Sequence, residues 1–339
     1  SVDSYNTAVG HAAGQNVTTG IQNTLIGGLA GDALTDADYN TVVGTEALST
    51  DTLGSRSTAI GYQTLANQNF TTATNAYNTA VGYSAGIAIT TGIKNVAVGS
   101  LALDAATTGQ ENTAIGHQAL TADTKGQRNV AIGFGSLVTQ NFTTATSSYN
   151  TAVGYNSGNA VTTGAWNTLI GGIAGDALTT GQENVALGYF ALSSDTLGSH
   201  SVAIGKDALG SQNFTTATDT YNTAVGHSTG VAVTTGTENT LIGGRAGDAL
   251  TDADRNVAVG SEALSADTLG SNSTAVGRAA LANQNFTTAT DTYNTAVGAR
   301  AGVEVTTAVY NTLVGGLCGD ALTTGGYNVA VGGYALSAE

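Results

Sequence analysis

Several residue types are absent or scarce in this chain of 339 residues, and the scarcities exclude several classes of protein. A single cysteine excludes an intrachain disulfide framework. Nine Lys and Arg residues stand against 24 Asp and Glu, and the net charge of −15 argues against a nucleic-acid or anionic-membrane partner, because both need a basic surface. A membrane-spanning helix needs about 18 consecutive apolar residues, and no stretch of the sequence comes near that length. No signal peptide is visible. We therefore predict no membrane insertion.

Proline and methionine are absent, and charged residues make up only 10% of the chain. A composition so rich in small polar residues is compatible with disorder, but a hydrophobic content of 41% with regularly placed Val and Ile argues against it. Methionine is missing even at position 1, and Asp3 to Asn6 matches Asp219 to Asn222 inside a repeat. We therefore expect an internal segment of a longer protein, with more chain or another subunit continuing at both ends.

What the chain does contain is a five-residue motif, Asn-Thr-Ala-Val-Gly at residues 6–10, that occurs nineteen times. Its first residue lies at positions 6, 23, 40, 57, 78, 95, 112, 129, 150, 167, 184, 201, 222, 239, 256, 273, 294, 311 and 328. Three spacings of 17 and one of 21 add up to a 72-residue super-repeat. Each unit has one short apolar run and cannot bury a core until it stacks on its neighbours. We predict an all-β, parallel β-solenoid (β-roll) of nineteen coils, and treat 1–339 as one continuous repeat domain because no linker interrupts the period.

The motif positions predict how each coil is oriented. The fourth position is Val, Ile or Leu in every copy and the second is Thr or Val, and residues two apart share a face of a strand. The third position, usually Ala, lies on the opposite face. We expect the second and fourth positions to fill the coil interior and the Ala face to pack against another chain or another wall, because a strand with two apolar faces is usually covered on both.

The fifth position is Gly in every copy, which predicts a turn at each one. The first six of these structural turn glycines are Gly10, Gly27, Gly44, Gly61, Gly82 and Gly99. A second glycine, such as Gly20 or Gly54, often follows ten residues later and suggests a second corner. Between the corners, an apolar segment such as Glu46 to Leu48 is predicted to form an opposing strand. The first motif position is Asn or Ser, and stacked Asn side chains can form amide ladders along a solenoid.

The segment Tyr77 to Gly86, with Thr90 to Gly92 following, resembles the NTAVGYxAL…NTTG repeats of phage tail-fibre and bacterial surface-fibre proteins. Ser201 to Gly205, which reads Ser-Val-Ala-Ile-Gly, resembles the repeats in the left-handed β-roll heads of trimeric autotransporter adhesins. The resemblance covers essentially the whole chain and implies a parallel homotrimer, extracellular, at a cell surface or on a virion, that serves as a shaft or receptor-facing fibre. The unit here is longer than in the adhesins, and every fourth coil carries four extra residues.

The four long coils contain candidate surface contacts. Each carries the pattern Gln-Asn-Phe-Thr-Thr-Ala-Thr and ends in Tyr, and an aromatic ring beside several hydroxyls can contact a host glycan or receptor. The competing interpretation is that the Phe is buried and the insertion only sets the geometry of the fibre. The candidate residues are Phe70, Tyr77, Phe142, Tyr149, Phe214, Tyr221, Phe286 and Tyr293.

Two further patterns suggest ligands, and we interpret both as structural. Gly27 to Leu34 resembles the GGxGxDxUx calcium repeat, but its copies lie a full super-repeat or more apart, so neighbouring carboxylates cannot share an ion and Asp32 is predicted to be a turn residue. The Thr at the second motif position suggests an ice-binding face. Such faces usually carry two outward Thr ranks, whereas this single rank alternates with Val, which we interpret as interior-facing.

Catalysis has little support in the sequence. No His is expected to recur in register with a Ser, Cys or carboxylate partner, and His11, His117, His200 and His227 are interpreted as solvated turn residues. Cys318 replaces a small Ala and is predicted to be buried. We predict no enzyme, no catalytic residue, no metal and no cofactor.

Three hypotheses for function remain open. The first is a trimeric structural fibre whose properties are reach and stiffness. The second is an adhesin rod whose long-coil loops bind glycans or a host surface. The third is an extracellular filament formed by head-to-tail stacking of chains.

Overall fold

The computed structural model describes residues 3–337, and within them every regular element is a β-strand. Contacts divide the chain into two compact units, with the boundary between Asn167 and Thr168. Each unit is a stack of coils in which one three-residue strand per coil pairs in parallel with the strand of the next coil. The prediction of an all-β, parallel β-solenoid with one motif per coil is confirmed.

The strands of the first unit are short and regularly spaced. They are β1 (Thr7–Val9), β2 (Thr24–Ile26), β3 (Thr41–Val43), β4 (Gly54–Ser55), β5 (Thr58–Ile60), β6 (Thr74–Asn75), β7 (Thr79–Val81), β8 (Val96–Val98), β9 (Thr113–Ile115), β10 (Gly126–Gln127), β11 (Val130–Ile132), β12 (Thr146–Ser147) and β13 (Thr151–Val153). The nine three-residue strands are the motif strands and form one ladder. The two-residue strands pair separately, β4 with β6 and β10 with β12.

The second unit repeats this arrangement. Its strands are β14 (Thr168–Ile170), β15 (Val185–Leu187), β16 (Gly198–Ser199), β17 (Val202–Ile204), β18 (Thr218–Asp219), β19 (Thr223–Val225), β20 (Thr240–Ile242), β21 (Val257–Val259), β22 (Gly270–Ser271), β23 (Thr274–Val276), β24 (Thr290–Asp291), β25 (Thr295–Val297), β26 (Thr312–Val314) and β27 (Val329–Val331). Ten of them form the ladder. The pairs β16–β18 and β22–β24 each join a long coil to the coil before it, as β4–β6 and β10–β12 do in the first unit.

The register of each ladder places equal motif positions side by side. Thr24 pairs with Thr41, Leu25 with Val42 and Ile26 with Val43. A long coil does not shift this register, since Val43 pairs with Ile60 and Ile60 pairs with Val81 across the longer spacing. The four extra residues are therefore accommodated outside the ladder.

The orientation of the ladder strands is opposite to the prediction. The third motif position is the interior one: Val42, Ala59 and Ala80 are fully buried. The second and fourth positions point outward, and Ile60 keeps 38% of its surface exposed. Alternation identifies which residues share a face, but both faces of these strands are apolar, so the pattern did not reveal which one lies inside the coil.

The predicted opposing strand is also wrong. The segment Glu46 to Leu48 is a series of turns in which Glu46 has φ 56° and Leu48 has φ 50°. The same left-handed conformation occurs at the residue before every motif, for example Tyr39 with φ 60°. The left-handed backbone conformation is uncommon for residues other than glycine. Here it recurs often enough to turn the chain back and close each coil with a single motif strand.

The coil interior is filled either by a large side chain at the third motif position or by one in the turn that follows the motif. Where the third motif position is Leu25, its methyl groups occupy the space left by Gly14 and Gly31, and an added Cβ would lie 2.5 Å and 2.9 Å from them. Where the third position is Ala, as at Ala97, a buried Leu103 fills the same coil six residues later. Gly31, the third glycine of the calcium-like pattern, is therefore explained by packing, because interiors tolerate neither voids nor overlap.

The first motif position forms the amide ladder that the sequence predicts. The Asn95 side chain is buried, its Nδ2 donates to the carbonyl of Gly109 at 2.9 Å, and its Oδ1 accepts the Asn112 N–H at 3.0 Å. The same pair of bonds recurs in both units, as at Asn23 and Asn239. Each Asn thus ties a corner of its own coil to the backbone of the next.

The motif glycines turn the chain where the ladder strand ends. The six predicted glycines, from Gly10 to Gly99, have φ between 132° and 144°. An added Cβ at Gly44 would lie 2.2 Å from the carbonyl oxygen of Gly61 in the next coil. Glycine is required here both for its backbone conformation and for the close approach of successive coils.

Candidate functional site

The most unusual surface in each unit is formed by the outward residues of the ladder, which we call the outer ladder face. It consists of the second and fourth motif positions, which are Thr or Val and Val, Ile or Leu respectively. No charged residue occupies any of these positions in the described strands, although the chain as a whole carries a charge of −15. Ile60, Ile115 and Leu187 remain 37–43% exposed. An uncharged surface with a continuous rank of aliphatic side chains often marks an interaction site.

The Thr residues of this face reopen the question of ice binding. The argument that they face the interior is wrong, because they point outward together with the fourth position. The other argument still applies, since no fourth motif position in the chain is Thr, and the face carries only one hydroxyl rank.

Two rows of residues border the outer ladder face. The leading row is the residue before each motif, and the trailing row is the residue after each motif glycine. Together they contain twelve of the thirteen Tyr residues and Trp166, all of them exposed. Aromatic residues are enriched at protein interfaces, because they offer a large apolar area with a polar tip.

Within these rows, neighbouring side chains stack from coil to coil. Tyr62 and Tyr83 lie 5.6 Å apart between ring centroids, and Phe134 lies 5.5 Å from Tyr155. In the leading row, the Arg56 guanidinium lies 4.7 Å from the centroid of the Tyr39 ring. The repeat sets these contacts, since one position recurs at each step of the ladder.

The long-coil phenylalanines are buried, so the prediction that they form surface contacts disagrees with the structure. Phe70 is 6% exposed, and Phe142, Phe214 and Phe286 are similarly buried. Gly54, predicted to form a second corner, lies in strand β4 instead; an added Cβ there would lie 2.8 Å from Phe70 Cδ2, so the missing side chain makes room for the ring. The exposed part of the loop is the Thr71-Thr72-Ala73 tip.

Beneath each of these rings lies a polar network that the sequence analysis did not identify. Asp51 Oδ1 accepts the N–H groups of Gly54 and Phe70 at 3.0 Å, and Asp51 Oδ2 accepts Gln68 Nε2 at 2.6 Å. Gln68 Oε1 in turn accepts Asn78 Nδ2 at 2.8 Å, which joins the network to the amide ladder. The equivalent carboxylates are Asp123, Asp195 and Asp267.

These networks affect the protonation of the buried carboxyls. Burial raises the pKa of Asp51 above its usual value, and the hydrogen bonds from Gln68 and the backbone partly oppose the shift. Burial raises the pKa of Asp123 and Asp195 in the same way. One sequence signal could have revealed this network: the coil before each long coil has Asp at the position where the long coil has Gln. The pairing of the two residues becomes apparent only when the coils stack.

The network accommodates Ser in place of the motif Asn at three of the four long coils, while the fourth begins with Asn129. Ser57, Ser201 and Ser273 each begin a long coil. At Ser57 the Oγ accepts Gln68 Nε2 at 3.1 Å, and at Ser201 it accepts Gln212 Nε2 at 2.8 Å. The Gln therefore supplies the amide that the ladder would otherwise lack.

The four long-coil tyrosines are exposed, as surface contacts require, with Tyr77 at 50%. Each has a neighbour over one ring face. Arg56 and Arg128 lie 5.9 Å and 5.5 Å from the centroids of Tyr77 and Tyr149, while His200 stacks on Tyr221 and Tyr310 on Tyr293. Binding of a glycan by these rings stays a prediction.

The remaining candidates do not assemble into a reactive site. His11, His117 and His227 are exposed, and the Cys318 thiol is buried. The expectation that no His has a carboxylate partner is wrong for His200, whose Nδ1 lies 3.1 Å from Asp219 Oδ1 and whose Nε2 lies 3.4 Å from Glu183 Oε2. Asp32 lies in a turn where burial raises its pKa, with its Oδ1 unpartnered. Among residues 3–337, no three His, Cys, Asp or Glu side chains are grouped as metal ligands. Over the same range, no helix has the length and apolar character needed to cross a membrane.

Neither a protein-family model nor a curated protein matches this chain.

Proposed function

We propose that this chain is a structural fibre protein whose copies associate side by side through the outer ladder face. The observation that supports this most directly is the uncharged, apolar composition of that face on an otherwise acidic chain. A copy of the same chain is the partner that fits best, because it brings an equally uncharged face and leaves the acidic residues of both chains outside the contact. A basic partner would find no complementary charge on this face.

The size of the face suits a stable contact. A three-residue strand covers about 48 Å², taking roughly 3.3 Å per residue and 4.8 Å per strand. The nine and ten motif strands of the two units therefore offer about 900 Å² in total, close to the roughly 800 Å² that each partner contributes to a standard interface.

The arrangement we propose is a parallel homotrimer. The resemblance of the repeats to fibre and adhesin proteins supports three chains around one axis, with the outer ladder faces turned towards that axis. It also supports a location outside the cell, at a cell surface or on a virion, where a shaft or receptor-facing rod aids attachment to a host.

The test is the solution mass of the full chain, measured by light scattering together with small-angle X-ray scattering. The trimer predicts three times 33.5 kDa. Substituting Ile60→Lys and Ile115→Lys places two charges in the contact and should reduce the mass to that of one chain. Thr72→Lys with Thr144→Lys makes the same change of charge in exposed loops and should leave the trimer intact.

Two results would overturn parts of this proposal. A wild-type chain that stays monomeric, or an Ile-to-Lys variant that keeps the wild-type mass, would remove the outer ladder face as the contact. A mass of two chains that falls in the Ile variant would keep the face but exclude the threefold arrangement.

The second candidate is an adhesin rod that binds a glycan or host surface. Exposed Tyr77 and its three equivalents, together with the exposed Thr-rich loop tips, favour it. Replacing the four tyrosines by Ala should then abolish binding to a glycan array without changing the solution mass. Unchanged binding would exclude the tyrosines as contacts.

A further inference from the structure

Two groups of tyrosines stack directly on one another in the aromatic rows. Tyr62 and Tyr83 have centroids 5.6 Å apart and ring planes 17° apart. In the second unit, Tyr310 lies between Tyr293 and Tyr327, at 5.2 Å and 4.9 Å, with ring planes 22° and 12° apart. Each ring occupies the same position in successive coils, so the step of the ladder holds the phenols at contact distance.

These phenols are accessible and unengaged. Tyr62 and Tyr83 are 43% and 56% exposed, and the other three are exposed to a similar or greater extent. Within the part of the chain that the structure describes, none of the five hydroxyls makes a hydrogen bond, whereas Tyr149 accepts one from Arg128. A diffusing oxidant can therefore reach rings that already touch a second phenol.

We propose that these stacks are sites of oxidative dityrosine cross-linking, at which a haem peroxidase using hydrogen peroxide joins successive coils of one chain. Each phenol loses one electron and one proton, and the two phenoxyl radicals couple through a carbon–carbon bond between ring positions ortho to the oxygens. The ring hydrogens at those carbons then move to the oxygens as aromaticity returns. The hydrogen peroxide takes up the two electrons and two protons and leaves as two water molecules.

Such a bond would be a covalent cross-link between successive coils. The chain has one cysteine, Cys318, which is buried, so no disulfide can link its own coils. A Tyr62–Tyr83 bond would close a loop that spans one long coil, and each bond in the second unit would close a loop that spans one short coil. Cross-links of this kind stabilise a fold by restricting the unfolded chain. The inference is independent of the proposed self-association, since both partners of each bond belong to one chain.

The chain offers a matched site that lacks the chemistry. Phe134 stacks on Tyr155 at 5.5 Å with ring planes 13° apart, and both rings are about half exposed. The geometry is close to that of the Tyr62–Tyr83 pair, but one ring has no hydroxyl and cannot form a phenoxyl radical. Phe134→Tyr should therefore create a new cross-linking site.

The experiment treats the full chain with horseradish peroxidase and hydrogen peroxide, measures dityrosine fluorescence, and maps linked peptides in the single-chain band by mass spectrometry. The wild type should give Tyr62–Tyr83 and links through Tyr310, each lighter by two hydrogen atoms. Tyr62→Phe should lose the first link alone, and Phe134→Tyr should gain a link to Tyr155. Both variants keep an aromatic ring, so the fold is preserved.

Three outcomes would overturn the proposal. The first is that the exposed Tyr189, on which the described structure stacks no tyrosine, forms dityrosine as often as the stacked tyrosines do. The second is bonds only between different chains, and the third is no new bond in Phe134→Tyr. Circular dichroism of each variant before oxidation confirms that a lost link reflects lost chemistry rather than a lost fold.

Discussion

Two adjacent glycines, Gly243 and Gly244, provide a sharp test of how the coils stack. Gly243 is the motif glycine and has φ 130°, and an added Cβ would lie 2.6 Å from the carbonyl carbon of Gly260 in the next coil. Gly244 is the next residue, yet an added Cβ there meets nothing within 4 Å. We expect Gly243→Ala to be strongly destabilising and Gly244→Ala to be nearly neutral.

The magnitude follows from two contributions. A non-glycine residue in a sparsely populated backbone region costs about 1–3 kcal/mol. Relieving the contact requires the coils to separate by about 0.8 Å. This would lengthen the hydrogen bond that Gly260 N–H donates to Ile242 O from 2.7 Å to about 3.5 Å, measured from nitrogen to oxygen. The loss of that hydrogen bond adds roughly 0.5–1.5 kcal/mol, so we expect a total of about 1.5–4.5 kcal/mol. Gly244→Ala should change stability by less than about 1 kcal/mol, because it only restricts the unfolded chain.

The assay is urea-induced unfolding followed by circular dichroism at one fixed chain concentration, since self-association would shift the midpoint. Amide exchange at Gly260 adds a local readout, because a coil in a solenoid interacts mainly with its neighbours. If the two variants unfold with free energies within about 0.5 kcal/mol of each other, the close approach of successive coils does not limit the residue at the motif turn.

Three further predictions concern the buried polar and aromatic groups. Asn95→Ala should lower the free energy of unfolding by about 2–5 kcal/mol, because it leaves the buried Asn112 N–H and Gly109 carbonyl without partners; an unchanged urea midpoint would show that the amide ladder adds no stability. Phe70→Ala should cost about 3–5 kcal/mol through the cavity it leaves, measured by thermal unfolding, whereas Ala at an exposed leading-row tyrosine should cost far less. Burial raises the pKa of Asp51, so the Asp51 carboxyl keeps its proton to a higher pH in the folded state than in the unfolded state. The stability that this group contributes is therefore complete below the usual pKa of 3.8 and is lost as the pH rises through the folded pKa. Asp51→Asn should therefore weaken the fall in stability above pH 3.8, and urea midpoints with the same pH dependence in both proteins would contradict the assignment.

The parts of the fold that were predicted correctly are those that recur at every coil. The motif spacing identified the coils, the invariant glycine identified the turn after each strand, and the Asn at the first position identified the amide ladder. All three depend on short-range constraints that are the same in each repeat, so nineteen copies make the pattern unambiguous.

The candidate site was predicted only in part. The sequence located the long coils and their aromatic residues, and Tyr77 is exposed as surface contact requires, but Phe70 is buried on Gly54 and Asp51. The Asp51–Gln68–Asn78 network could not be found, because these residues are 17 and 10 positions apart and meet only when coils stack. The outer ladder face was missed because its residues were assigned to the interior.

The sequence by itself determined the period, the parallel register and the turns, because a side chain's neighbours along a solenoid are the same position in adjacent repeats. Only the tertiary structure decided which strand face lies inside. Both faces are apolar, so alternation favours neither, and the choice depends on the direction in which the left-handed turns close the coil. That closure leaves an interior in which Ala97 and Leu103 share the available volume. The β-branched residues of the second and fourth positions then remain outside, where a partner can cover them.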